Sequence, residues 1–117
     1  MTYDEAISYI HSVSWLGSRP GLERIGELCT LLGNPQDSLK FIHVAGTNGK
    51  GSFSSMISSV LRVSGMTVGT FTSPYVYSFN ERFCTNGEPI SNDELADIIE
   101  YVKPYADSMQ NSPTEFE

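Results

Sequence analysis

Residues 41–57, FIHVAGTNGKGSFSSMI, place three glycines and one lysine between an apolar run and a return of apolar residues at helical spacing. Gly46, Gly49 and Gly51 allow positive φ and close approach of a ligand to the backbone. A glycine-rich turn between a buried strand and a helix exposes N–H groups around a concavity, and such a cradle suits phosphate. Lys50 adds a point charge for the outer oxygens of a triphosphate, and Ser52 or Thr47 offers a hydroxyl near a magnesium ion. The set fits a nucleoside triphosphate. It departs from the G-x-x-x-x-G-K-[ST] pattern, because Val44 stands where the first glycine belongs and Gly51 separates Lys50 from Ser52. A glycine-rich turn carrying a solvated lysine is the competing reading.

The elements that must hold this turn follow from hydrophobic period. KFIHVA is a short, nearly continuous apolar run, the pattern of a strand covered on both faces. Phe53, Met56, Ile57, Val60 and Leu61 then follow helical spacing to Gly65, and MTVGTF reads as a second buried strand. Strand, helix and strand within about thirty residues make a right-handed βαβ unit with parallel strands. The fold class expected is therefore α/β, a mostly parallel sheet with flanking helices.

Upstream, Thr2 and Glu5 form a capping box ahead of Ala6, Ile10 and Val13, and WLGSRPG breaks that helix. Leu22, Ile25, Cys29 and Leu32 mark a second helix, stopped by Gly33-Asn34-Pro35. Residues 72–89 hold two prolines, an Asn-Gly and no sustained period, so they read as a long excursion from the C-terminal end of a strand, where function concentrates. Ser91 and Glu94 cap a last helix with the stripe Leu95, Ile98, Ile99 and Val102, whose straight continuation Pro104 limits.

Composition narrows the function classes. The chain has 117 residues, with 7 basic and 14 acidic side chains and a net charge of -7. It is enough for one modest core. No cluster of Lys or Arg gives a nucleic acid or an anionic membrane its electrostatic footprint, so neither is an expected partner. Cys29 and Cys84 lack metal or redox spacing, no secretory signal is visible, and no apolar run is long enough for a membrane span. A cytoplasmic location is expected.

HVAGTNGKGS at 43–52, followed by GTFTSPYVYSFNER at 69–82, resembles the folylpolyglutamate synthase and dihydrofolate synthase family of the Mur ligase superfamily. LGNPQ before the first strand and TEFE at the end resemble it too, so the likeness covers the whole chain. Family members are several times longer. The resemblance therefore implies that residues 1–117 are the N-terminal part of the ATP-binding, central-type domain of a Mur ligase, with the C-terminal domain outside this chain. By itself such a fragment is expected to be inactive.

The implied activity is ATP-dependent ligation of L-glutamate to a folate, as in a tetrahydrofolylpolyglutamate synthase, and in some relatives to dihydropteroate. A folate carboxylate takes the γ-phosphoryl group, and the glutamate amine then displaces phosphate, so one difficult step becomes two easier ones. The implied cofactors are ATP and Mg2+, the partners small-molecule substrates of one-carbon metabolism, and the full-length protein a monomer. By family position, Gly46, Thr47, Asn48, Gly49, Lys50, Gly51 and Ser52 form the nucleotide loop, with Lys50 catalytic. Ser73 matches a magnesium-contacting serine, with Ser52 beside it. The loop from Pro74 to Arg82 matches the folate side, where Tyr75 and Phe79 offer aromatic faces to a pterin and Arg82 meets an anion.

Plainer readings stand beside these. Tyr75 and Phe79 could simply anchor a loop, and Arg82 could pair with Glu81 at the surface. His43, on a strand, reads as a hydrogen-bonded core residue. His11 and the run Asp93, Glu94, Asp97 and Glu100 read as helix surface. The alternatives in function are another Mur-type amide ligase, or a non-catalytic nucleotide-binding module if the natural chain ends at Glu117.

Overall fold

The computed structural model describes residues 1–14, 17 and 19–117; the expected break at WLGSRPG falls partly on Trp15, Leu16 and Ser18, outside the described residues. The chain divides into two compact units, Met1–Lys40 with Asp93–Glu117, and Phe41–Asn92.

In the first unit, α1 spans Tyr3–Ser12 behind the expected capping box. The Glu5 N–H donates to Thr2 Oγ1 at 3.2 Å, and the Thr2 N–H donates to Glu5 Oε2 at 2.7 Å. α2, Glu23–Leu31, stops where the sequence turns to Gly33-Asn34-Pro35, with Asn34 left-handed at φ 53 ahead of a 3-10 turn over Pro35–Ser38. The α4 helix runs over Asn92–Ser108 and carries Pro104 inside it. Leu28 of α2 is buried with Ala106 and Met109, and Leu32, Val102 and Tyr105 pack around them. The expected stripes are only partly the buried ones: Leu32 and Val102 pack against this cluster, whereas Leu22 is 80% and Ile98 49% exposed and the buried centre is Leu28, Ala106 and Met109.

One ion pair closes the unit. The Arg24 Nε donates to Glu117 Oε2 at 3.0 Å, with the two side chains only 13% and 7% exposed. The Thr114 N–H also donates to Glu117 Oε2, at 2.8 Å, and Arg24 reaches the Arg19 carbonyl at 2.7 Å. Burial alone pushes the Glu117 carboxyl up, but the bonds from Arg24 and Thr114 outweigh it and hold the group below its ordinary value of 4.5.

In the second unit, α3 covers Lys50–Val63, as the period predicts. The sheet does not follow the expectation. Its strands are β1 (Gly69–Phe71), β2 (Phe83–Thr85) and β3 (Glu88–Pro89), all antiparallel, with Gly69 opposite Thr85 and Phe71 opposite Phe83. Residues 41–46 form no strand among the described residues, so the expected parallel pairing of the two apolar runs is corrected. A buried parallel strand exists only with neighbours to hydrogen-bond it, and the short hairpin supplies β1 with a local antiparallel partner instead. That hairpin turns at Asn86 and Gly87, with φ of 50 and 83, the two left-handed positions of a tight two-residue turn.

The same shortage of neighbours marks α3. Phe53, Met56, Val60 and Val63 lie along one stripe of the helix and are all exposed, Val63 at 90%. Phe41 and Ile42 are exposed as well.

Two predictions follow from this packing. Residues 1–117 expressed alone are expected to self-associate through the uncovered apolar surface of the second unit, measured by sedimentation; a monomer that unfolds cooperatively contradicts this. In the natural protein, Arg24→Ala should cost about 3 kcal/mol, because it leaves the Glu117 carboxylate buried and unpaired. Denaturant unfolding across pH adds a sign: the pair's contribution is present above the ordinary Glu117 value of 4.5 and is lost as pH falls through the lower folded value. Arg24→Ala should therefore shrink that pH dependence to what the Thr114 bonds sustain against burial.

Candidate nucleotide loop and the adjoining 73–82 loop

Residues 46–52 are all exposed and lead straight into α3. Gly49 is the N-cap, left-handed at φ 77, and nothing lies within 4 Å of where a Cβ would stand. The first bond of the helical ladder runs from the Phe53 N–H to the Gly49 carbonyl at 2.9 Å. The N–H groups of Lys50, Gly51 and Ser52 precede that bond, so they are the donors that no helix can satisfy internally. The Lys50 ammonium folds back to donate to the Gly46 carbonyl at 2.5 Å, which holds the charge over its own loop.

Charge placement singles out this terminus. The first turns of α1, α2 and α4 carry Asp4 and Glu5, Glu23, and Asp93 and Glu94 respectively. The first turn of α3 carries no acidic residue. An acid-rich chain thus complements three helix dipoles internally, while the fourth positive end, with its lysine, has no acidic residue in its first turn.

A second group assembles over residues 73–82. The Arg82 guanidinium donates to Ser73 Oγ at 3.0 Å and lies 5.1 Å from the Tyr75 ring centroid and 5.2 Å from that of Phe79. The two rings meet edge-on, 5.8 Å apart. Pro74 follows Ser73 through a cis peptide bond. Four of the expected residues, Ser73, Tyr75, Phe79 and Arg82, therefore form one contact group. The Arg82 Nε is buried without a hydrogen-bond partner.

The alternative of an Arg82–Glu81 surface pair gives way to a different arrangement. Glu81 turns the other way and accepts three backbone N–H groups, from Val76 at 3.0 Å, Tyr77 at 2.9 Å and Ser78 at 2.8 Å. The bonds from Val76 and Ser78 hold its carboxyl below the ordinary value. Asn80, buried beside it in the 3-10 turn Phe79–Arg82, donates to the Ile90 carbonyl at 2.8 Å and to Asn92 Oδ1 at 2.9 Å. Neither role was read from the sequence. The signal available was Ser78-x-x-Glu81, a capping-box spacing inside what looked like irregular chain.

Other expectations resolve simply. His43, expected in the core, is exposed, because the strand that was to bury it is not formed. His11 lies 3.3 Å from Glu115, and Asp93, Glu94, Asp97 and Glu100 are helix surface as expected. Among the described residues no three His, Cys, Asp or Glu side chains cluster to hold a metal, and no helix is long and apolar enough to cross a membrane. A depression of about 430 Å³ lies at the opposite end of α3, lined by Ser59, Arg62, Val63, Met66 and Asn86, away from both loops.

Comparison with known proteins gives this geometry a family. No family model matches the chain. The dihydrofolate synthase/folylpolyglutamate synthase of Bacillus subtilis is 45% identical over 119 residues, covering 98% of this chain and 28% of that protein. The solved folylpolyglutamate synthetase of Lactobacillus casei superposes with a TM-score of 0.92 at 40% identity, covering 99% of this chain and 30% of that one. A folylpolyglutamate synthase solved in complex with AMPPCP and folate superposes with a TM-score of 0.89 at 39% identity, again over 99% of this chain and 30% of that one. These likenesses define the N-terminal part of a Mur-ligase-type α/β fold, which carries the fold class expected above although the strands paired here are antiparallel. The chain belongs to the folylpolyglutamate synthase/dihydrofolate synthase family. It spans between a quarter and a third of the length of these relatives, 28% of the Bacillus subtilis protein.

Substitution at the N-cap isolates the backbone term. Gly49→Ala meets no steric obstacle, so its whole cost is the left-handed conformation, about 1 kcal/mol. Gly49→Asn should cost less than Gly49→Val, since Asn tolerates that region and a β-branched side chain does not. Denaturant unfolding of the three variants checks the order.

Proposed function

We propose that this chain supplies the nucleotide loop and the folate-side loop of an ATP-dependent ligase that adds L-glutamate to a folate, and that residues 1–117 form the N-terminal part of its ATP-binding domain. The observation that carries the reading is the α3 N-terminus, where unsatisfied N–H groups, Lys50 and an absence of acidic side chains coincide. The relative held with AMPPCP and folate at 39% identity supports both ligands.

In this reading Gly46 to Ser52 wrap the phosphates, with Gly49 setting the turn and the N–H groups of Lys50, Gly51 and Ser52 facing the anion. Lys50 leaves the Gly46 carbonyl to neutralise charge on the γ-phosphoryl group as it passes to the folate carboxylate. The acyl phosphate so formed has phosphate as its leaving group when the glutamate amine attacks. Most of the catalysis is positioning and charge neutralisation.

Magnesium fits the donor chemistry on hand. Ser52 and Ser73 offer hard hydroxyl oxygens, and Mg2+ accepts such ligands while keeping water and phosphate oxygens for the rest of its octahedron. The Ser73 oxygen accepts from Arg82 and retains a second lone pair. When bound, the ion would screen phosphate charge during transfer. On the other side, Tyr75 and Phe79 present rings for a pterin or its benzoyl neighbour, and the Arg82 guanidinium held beside them can meet an anion. The substrates proposed are small molecules, the location cytoplasmic, and the full-length protein a monomer. The uncovered stripe of α3 is completed, in this reading, by strands of a longer chain.

The test is a ligase assay on the natural protein with ATP, magnesium, glutamate and either dihydropteroate or a folate, reading product mass. Lys50→Ala should leave folding intact and lower turnover by about 100-fold or more, since it removes one preorganised charge from the transition state. Near-normal turnover in the variant contradicts its role. No glutamyl product from either pterin in the unsubstituted protein contradicts the function.

A further inference from the structure

The Glu81 carboxylate has no place in the ligase reading, yet it makes more backbone bonds than any other side chain of its loop. Residues 75–78 belong to no helix or strand, so their N–H groups have no ladder to join. Glu81 Oε2 accepts from Val76, and Oε1 accepts from both Tyr77 and Ser78, at 2.8–3.0 Å. Such bonds to an ionised acceptor are about twice as strong as neutral ones. The next residue, Arg82, grips the other end of the same loop through Ser73 Oγ and the faces of Tyr75 and Phe79. Its own backbone is fixed to β1's end, since the Thr72 N–H donates to the Arg82 carbonyl at 3.0 Å. Two neighbouring residues of opposite charge therefore clip the loop from both sides, one on backbone and one on side chains.

We propose that Glu81 is a positioning residue of the substrate loop: by gathering the N–H groups of residues 76–78, it fixes where the Tyr75 and Phe79 rings and the Arg82 guanidinium face an aromatic substrate. It touches no substrate itself. Its effect falls on affinity for the pterin-bearing substrate, because Glu81 bonds residues 76–78 and not Ser73, and the nucleotide loop at 46–52 makes its own bonds. The proposal rests on the ligase reading for its kinetic consequence but not for its structural one.

The experiment uses the natural protein with Glu81→Gln and Glu81→Asp. Glutamine has one acceptor oxygen for three donors and presents an NH2 group to the rest; aspartate keeps the charge on a shorter arm. In Glu81→Gln, amide hydrogen exchange of residues 76–78 should quicken at least about tenfold, with the thermal midpoint nearly unchanged. KM for the folate should rise about tenfold while KM for ATP stays within about twofold, and Glu81→Asp should fall between. Unchanged exchange at 76–78, or equal rises in both KM values, overturns the proposal. If Glu81→Gln does not fold, Glu81→Asp carries the same two readouts. If the unsubstituted protein makes no glutamyl product, the function fails while the exchange measurement still decides the loop.

Discussion

Backbone N–H groups without a helical or sheet partner are the constraint on which the second unit depends. Each such donor bonds either an acceptor of the protein or water, and the two loops of this unit differ in which. At 76–78 the acceptor is built in, the carboxylate of Glu81. At 50–52 it is not: the donors sit ahead of the first ladder bond, exposed, with a lysine beside them and no acid in the turn. A loop that carries its own anion is set before a ligand arrives. A loop that lacks one keeps its donors open at the helix start.

That difference explains how glycine is used. Gly49 occupies a left-handed position with open space where a side chain would go, so it answers a backbone demand and not a steric one. In the 73–82 loop the shape comes from side chains instead, with Glu81 and Arg82 holding backbone and rings at close to hydrogen-bond and cation–π distances. Glycine gives permission for a conformation; a carboxylate or guanidinium enforces one. The first unit works on a third principle, apolar stripes packed around Leu28, Ala106 and Met109, with Arg24 and Glu117 as a buried polar closure.

Local rules were legible in the sequence and non-local ones were not. The capping box at Thr2 and Glu5, the stop at Gly33-Asn34-Pro35 and the period of α3 depend on residues within a few positions of each other, and all appear where expected. The glycine-rich turn ahead of α3 was legible for the same reason, since glycines, lysine and helix start are contiguous. Residues 41–46 have the composition of a strand, but a strand is defined by its neighbour's hydrogen bonds, which no periodicity records. The β2–β3 hairpin was missed although Asn86-Gly87 announces it, because strands of three and two residues leave no alternation to count. Pro104 lies inside α4, in a stretch whose Val102, Tyr105 and Ala106 are held in a core. Glu81 escaped because an acid next to an arginine suggests pairing, whereas backbone donors three to five residues away were the better partners.

Charge adds the last step. A chain with net charge -7 repels a polyanion at long range, yet its candidate anion site is a helix end. The two facts are compatible because exposed charges are screened beyond about 8 Å at physiological salt, while N–H groups and the lysine act at contact. Placing Asp4, Glu5, Glu23, Asp93 and Glu94 on three other helix starts stabilises those helices and keeps their carboxylates out of the α3 turn. In the proposed reading, recognition of an anion depends on where acidic residues are withheld, not on an excess of basic ones. A site built this way takes its selectivity from directional donors in a fixed turn, which suits a phosphate chain with one defined pose better than it suits any diffuse polyanion.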